Sequence, residues 1–351
     1  SLEAAKYAAT DEFSNLIQGI GGEGLNAFTA YDVTCYMNSF PAYQMERWLT
    51  LYADRLTNPV FRSFQAELEN VFEEYNMYLD DNSTHSRNFI FGKLYEGHAY
   101  ARDIIGYAED LKNPKLRKLI DFYNTWYVPN NMALILVGDF DIEATKPLIE
   151  KTFGKLQARP LPERTQYPTT AFAQDERYSA KLGYMPELYI AYNGVPVGDK
   201  DELLLDFLGE ILSNSMQIGL LDELTLDNKL MYAGAMNDIR RDQGRFIVVA
   251  VPYMDAETQT YTSLKETENL VNEAIQQLVN GNISEELVEA VRQNFYQEFD
   301  RTMEYPAMKV QLLQNAFTYQ QSIEEMLLQK ERVAAITMDD IKRVAKQYLG
   351  A

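Results

Sequence analysis

The sequence predicts an α+β protein of two homologous domains, each a mostly antiparallel sheet covered by helices on one face. Three observations carry this. Both halves follow one order, strand-like runs first and helical runs after, which suits α+β layers rather than alternating βαβ units. The stretch QARPLPERTQYPTT, residues 157–170, holds three prolines and few apolar residues and reads as a linker. The helical run before it, PLIEKTFGKL, resembles the run that closes the chain, DIKRVAKQYLG. These place a first domain at 1–157, a linker at 158–174 and a second domain at 175–351.

In order along the chain, residues 3–19 read as a helix and GIGGEG as a break. LNAFTAYDVTCYMNSF reads as a strand, being rich in β-branched and aromatic residues. A helix over 43–58 ends before Pro59. A helix over 61–80 carries Leu68, Val71, Phe72 and Tyr75 at the i, i+3, i+4, i+7 spacing of a buried stripe. NPKLRKLIDFYNTWY reads as a helix with Asn113 as N-cap and Pro114 at the first helical position. VPNN is a turn, MALILVGDF a short buried strand and DIEATKPLIEKTFGKL an amphipathic helix. Past the linker, ELYIAYNGVPV is a strand and 199–214 a helix. LMYAGAMNDIRRDQGRFIVVAVPYM gives two strands joined by a polar turn around Gly244. Helices follow near 260–280 and 284–303, and the last, TMDDIKRVAKQYLG, opens with a Thr-x-x-Asp capping pattern at Thr337.

The chain has 351 residues, a soft prior for two domains, because single cores stop growing somewhat below this size. Its formal net charge of −20 argues against nucleic acid, since a phosphate backbone needs a Lys/Arg surface. The one cysteine, Cys35, excludes an internal disulfide and sits in an alternating run as a small hydrophobe. No apolar run approaches the length of a membrane span, and no signal-peptide core is present. The opening SLEAAKYAAT is helical in character without an initiator Met, as expected of a piece cut from something longer.

Most catalytic chemistries find little support. There is no G-x-S-x-G elbow, P-loop or Rossmann fingerprint, and GIGGEG precedes a strand, so it offers no helix N-terminus to a phosphate. The two histidines, His85 and His98, lie 13 apart, and neither has a second histidine three or four residues away, so a complete zinc site is absent. A Cys–His pair through Cys35 has no pattern in its favour. Within ELENVFEEYNMYLDD, Glu67 and Glu74 are seven residues apart and stand two turns apart on nearly the same helix face, which also carries Val71. They are either two solvated carboxylates on a helix edge or part of a metal site whose other ligands lie elsewhere.

Five segments in order bear on that choice. Gly21, Gly22, Asn26, Ala27 and Thr29 approach a Gly-Gly-x-x-Asn-Ala-x-Thr strand, with one extra residue after the glycines. Glu67, Val71 and Glu74 form E-x-x-x-V-x-x-E. His98-Ala99-Tyr100 stands for a His-Pro-Tyr segment, with Ala in place of Pro. Tyr127, Pro129, Asn131 and Met132 form Y-x-P-x-N-M, and the following run closes in Gly138-Asp139. In this order the chain resembles the pitrilysin/insulinase family of zinc metallopeptidases, the inverzincins, strongly over 12–157 and more weakly over 175–351. The opening segment also looks like a long branch of that family found in Bacteroidetes-like bacteria.

The resemblance implies a zinc-dependent endopeptidase that hydrolyses peptides held in a closed chamber, the peptide adding as a strand beside Asn26 and Ala27. It implies Glu74 as a zinc ligand, with Glu67 as the carboxylate that orients the site. The family takes two further ligands and the general base from an upstream H-x-x-E-H helix, which this sequence lacks. No catalytic base is therefore expected in this chain, and no tightly bound Zn²⁺. An Arg and a Tyr in R-x₆-Y spacing serve the family from a second half; here Tyr232 is preceded by Thr225 where the Arg would stand. The chain is thus expected to be the zinc-bearing N-terminal half, partnered by a homologous C-terminal half and by peptide substrate, with its second domain lacking a last strand. The resemblance favours the periplasm or cell envelope. The rival expectation is a catalytically silent scaffold or peptide-binding member of the same family.

Overall fold

A computed structural model describes residues 11–61, 64–112 and 114–350. The elements run, in chain order, α1 Glu12–Gly19, β1 Glu23–Thr29, β2 Thr34–Ser39, α2 Met45–Thr57, α3 Phe64–Leu79, α4 Asn82–Leu94, α5 Ala108–Lys112, α6 Leu116–Trp126 and α7 Ile142–Phe153. They continue with β3 Leu188–Asn193, α8 Glu202–Leu212, α9 Leu220–Leu226, β4 Leu230–Ile239, β5 Gly244–Pro252, β6 Met254–Asp255 and β7 Thr260–Tyr261. The chain closes with α10 Leu264–Val279, α11 Glu285–Glu304, α12 Pro306–Tyr319, α13 Ile323–Leu327, α14 Gln329–Ala334 and α15 Met338–Leu349. Helices and antiparallel sheets in these proportions make an α+β protein.

The chain divides into two compact units. The first comprises Ser1–Asp81 and Arg102–Gln166, the second Asn82–Ala101 and Tyr167–Ala351. The α4 segment, placed by sequence within a first domain of 1–157, thus groups with the second unit.

In the first unit β1 and β2 pair as an antiparallel hairpin. The single strand expected over 25–40 is therefore two strands with a turn. Beside it, Ile17, Ile20, Met45, Trp48, Leu49 and Tyr52 form a core. Asn38 ties β2 to α2 by accepting from Trp48 Nε1 at 3.0 Å and from the Tyr52 hydroxyl at 2.8 Å. Residues 132–138, expected as a buried strand, carry none. Leu134 and Leu136 do alternate into that core, but a strand also needs a neighbour for its backbone groups, and no described strand lies alongside. The helix expected over 113–127 begins at Leu116, with Lys115 at the N-cap position making no side-chain cap bond and Pro114 outside it; Asn113 lies outside the described residues, as do residues 3–10 of the first expected helix.

In the second unit β3, β5 and β4 make an antiparallel sheet in that order. Its central strand β5 is buried throughout. Phe246, Val248 and Ala250 face a helical layer supplied by α8, α9, α10, α11 and α15. Ile247 faces the other way, against Leu94, Tyr95, Tyr100 and Phe172. Thr337 and Asp340 form the expected reciprocal cap at the start of α15.

Candidate functional site

Of the residues that carry the resemblance, those of β1 and α3 lie in the first unit, while His98 and Tyr100 belong to the second. The glycine pair is shaped by local geometry. Gly21 has φ +79°, and a Cβ on Gly22 would meet Ile17 Cγ2 at 2.5 Å, so the chain folds back tightly from α1 into β1.

The hairpin register sets which backbone groups of β1 are available. Ala30 N–H donates to Val33 O at 2.8 Å across the turn. Antiparallel ladders alternate bonded and non-bonded pairs. Counting from that turn, Thr29–Thr34 and Ala27–Tyr36 are non-bonded pairs, while Phe28–Cys35 is bonded. The close Thr29 and Thr34 hydroxyls, 3.2 Å apart, agree with this. Ala27 and Thr29 therefore point their N–H and C=O groups away from β2, toward an edge with no described partner strand. The Asn26 side chain lies over that edge: its Oδ1 accepts from Ala27 N–H at 2.8 Å. Both residues are exposed. Sequence reading named Asn26 and Ala27 and missed the outward backbone of Thr29, which the alternation of the Asn-Ala-Phe-Thr run alone could have indicated.

On α3, Leu68, Val71, Phe72 and Tyr75 are half-buried and no residue is fully buried. The helix lies against α5. Glu67, Glu73 and Glu74 are all exposed. Glu67 accepts only a long contact, 3.5 Å, from Asn70 Nδ2. Among the described residues no group of three or more His, Cys, Asp or Glu is placed to hold a metal ion. The donor set present, one carboxylate with a second two turns away, does not by itself make a zinc site, which needs three protein ligands.

The remaining candidates have other tasks. His98 is buried in the second unit, its Nδ1 accepting from Tyr100 N–H at 3.1 Å and its Nε2 lying 3.5 Å from Asp242 Oδ2. It is part of that unit's packing. Cys35 is half-buried on β2, and burial pushes its thiol up, away from the thiolate that a nucleophile requires. Tyr127 bonds the Tyr36 hydroxyl at 2.7 Å, and burial followed by that bond pushes its phenol up. The Tyr-x-Pro motif thereby ties to β2 through Tyr36. Tyr232 is exposed on β4.

Comparison with known proteins gives the family and the fold. The family model described as "Insulinase (Peptidase family M16)" matches residues 1–108, and "Peptidase M16 inactive domain" matches residues 115–295. The zinc protease PqqE of Helicobacter pylori is 22% identical over 358 residues, covering 99% of this chain and 78% of that protein. The crystal structure of a protease from Helicobacter pylori superposes with a TM-score of 0.84 at 20% identity, over 96% of this chain and 82% of that one. The periplasmic protease PqqL from Escherichia coli superposes with a TM-score of 0.75 at 19% identity, over 95% of this chain but 39% of that one.

Proposed function

We propose, for a chain that belongs to the insulinase family of peptidases, family M16, that it serves as the zinc-side half of a metalloendopeptidase and receives peptide as an added strand on β1. The observation that carries this is the open edge of β1. Ala27 and Thr29 offer outward donor–acceptor pairs, and the side chain resting on one of them, Asn26, can swing aside. Strand addition uses main-chain bonds for affinity and takes sequence tolerance with it. α3 brings Glu74 as metal ligand and Glu67 to orient the site. Zn²⁺, completed by ligands outside the described residues, would supply Lewis-acid activation of water; this chain supplies the carboxylates and the peptide-binding edge. The partner half would be homologous, and the compartment the cell envelope.

The second reading, a silent scaffold or peptide-binding member, draws on the inactive-domain match over 115–295. Assay of the full-length gene product on an unstructured peptide separates the two. Peptide cleavage that stops with a chelator and returns with Zn²⁺ supports the peptidase. Binding without cleavage, with metal added, supports the silent member.

A further inference from the structure

Helix α8 of the second unit, ELLLDFLGEIL, carries three carboxylates at i, i+4 and i+8: Glu202, Asp206 and Glu210. Like charges at this spacing repel, and their side chains lie on the partly covered flank of a helix otherwise rich in fully buried residues. The two outer ones have donors. Glu202 Oε2 accepts from Gly198 N–H at 2.5 Å, and Glu210 Oε2 from Asn294 Nδ2 at 2.8 Å. Asp206 between them has one, Asn237 Nδ2 of β4, at 3.1 Å from Oδ1. The same Asn237 has a second, unsatisfied group: its Oδ1 is buried and accepts no hydrogen bond from a described residue. A buried acceptor left unpaired beside a carboxylate is costly.

We propose that Asp206 holds a proton at neutral pH and pairs with Asn237 as a two-bond acid–amide ring, making the α8–β4 junction a clasp that is tight in acid and loosened in base. In the ring, Asn237 Nδ2 donates to one carboxyl oxygen while the other, as O–H, donates to Asn237 Oδ1. Both oxygens of Asp206 and both polar atoms of Asn237 are then engaged. Loss of the proton sets two acceptors against each other and removes one bond.

The surroundings favour the proton. Burial pushes Asp206 up to about 7; the Asn237 bond opposes this and the Glu202 and Glu210 charges add to it. Burial likewise raises Glu202 and Glu210. Around the row, the preceding loop presents Asp199, α9 Asp222, α11 Glu298 and α14 Arg332, the last acting on Glu202. α15 presents Arg343 and Tyr348, both spent on Asp201, and on α10 the buried Glu268 is held by Arg177. No basic group from these elements bonds Asp206.

The sign follows from the raised value. The clasp's contribution is full below the ordinary carboxylate range and is lost as pH rises through about 7. Asp206→Asn tests it, because an amide there keeps both bonds of the ring at every pH. The variant should melt with wild type at pH 3.5, below the ordinary carboxylate range, and about 5 °C above it at pH 8.5. A variant no more stable than wild type at pH 8.5, or equally favoured at both pH values, overturns the proposal. Should the variant not fold, carbon NMR of wild-type aspartate carboxyls decides: one titrating near pH 7 supports the clasp, and none above pH 6 overturns it.

Discussion

At the scale of single residues, charge placement in the second unit makes a sharp stability claim. Asp201 is fully buried, yet its carboxylate accepts two bonds from Arg343, at 2.7 and 3.3 Å, and one from the Tyr348 hydroxyl at 3.1 Å. The Arg343 bond, ahead of the other terms, holds Asp201 below its ordinary range. For a lowered acid the stabilisation is present at neutral pH and lost as pH falls through the lowered value. Arg343→Met should cost about 2 kcal/mol at pH 7, because a buried carboxylate loses its charged donor, and the gap to wild type should narrow in strong acid. Chemical denaturation at pH 7 and pH 3 checks both halves. Such pairs were not legible in the sequence: 142 positions separate the partners. The candidate site residues were legible, because Glu67, Glu74, Asn26 and Ala27 lie within short ordered motifs, while the proton on Asp206 depends on burial that no spacing encodes.

Secondary-structure elements show where local pattern suffices and where it does not. The amphipathic helices appear close to their expected bounds, and the Thr337 cap forms as its Thr-x-x-Asp spacing requires. The strand expected at 132–138 has its apolar alternation but no described neighbour, and strands exist only in pairs. β1 is the element on which binding turns. Because Ala27 faces outward, Ala27→Pro removes a donor from the open edge without breaking a bond to β2. The hairpin and the melting temperature should survive to within a few degrees, while peptide affinity of the full-length protein falls at least about tenfold, roughly the worth of one lost main-chain bond. Unfolding of the first unit on this substitution would mean that Ala27 instead faces β2.

Over the whole molecule, the linker and the repeated order of strands and helices made the two-part α+β architecture readable, since composition shifts and periodicity survive without tertiary context. The grouping of 82–101 with the second unit was not readable. Its anchors are Tyr95 and Tyr100, which lie under the guanidinium of Arg240 at 4.2 and 5.1 Å, with Arg245 5.1 Å from Tyr95. Buried arginines stacked on aromatics contradict the usual reading of Arg as surface. Residues 157–166 are exposed and have neither helix nor strand, whereas Thr170 and Phe172 are tied to Gln243 and Asn193. Limited proteolysis should therefore cut first within 157–166 and leave residues 167–350 resistant; a first cut within 82–101 would place the division elsewhere.

The central claim is that α3 turns Glu74 to a metal, and zinc content of the full-length protein tests it most directly. Three variants are compared with wild type: Glu74→Gln, Glu67→Gln and Glu73→Gln. Gln keeps the shape of the side chain but offers a neutral amide where zinc prefers a carboxylate. Glu74→Gln should abolish zinc retention or nearly so, and Glu67→Gln should weaken it by on the order of 10–100-fold, as orienting partners do. Glu73 projects about 100° away around the helix, so its variant should bind zinc as wild type does. Retention of zinc by Glu74→Gln together with its loss from Glu73→Gln would contradict the assignment and put the metal on another face of α3.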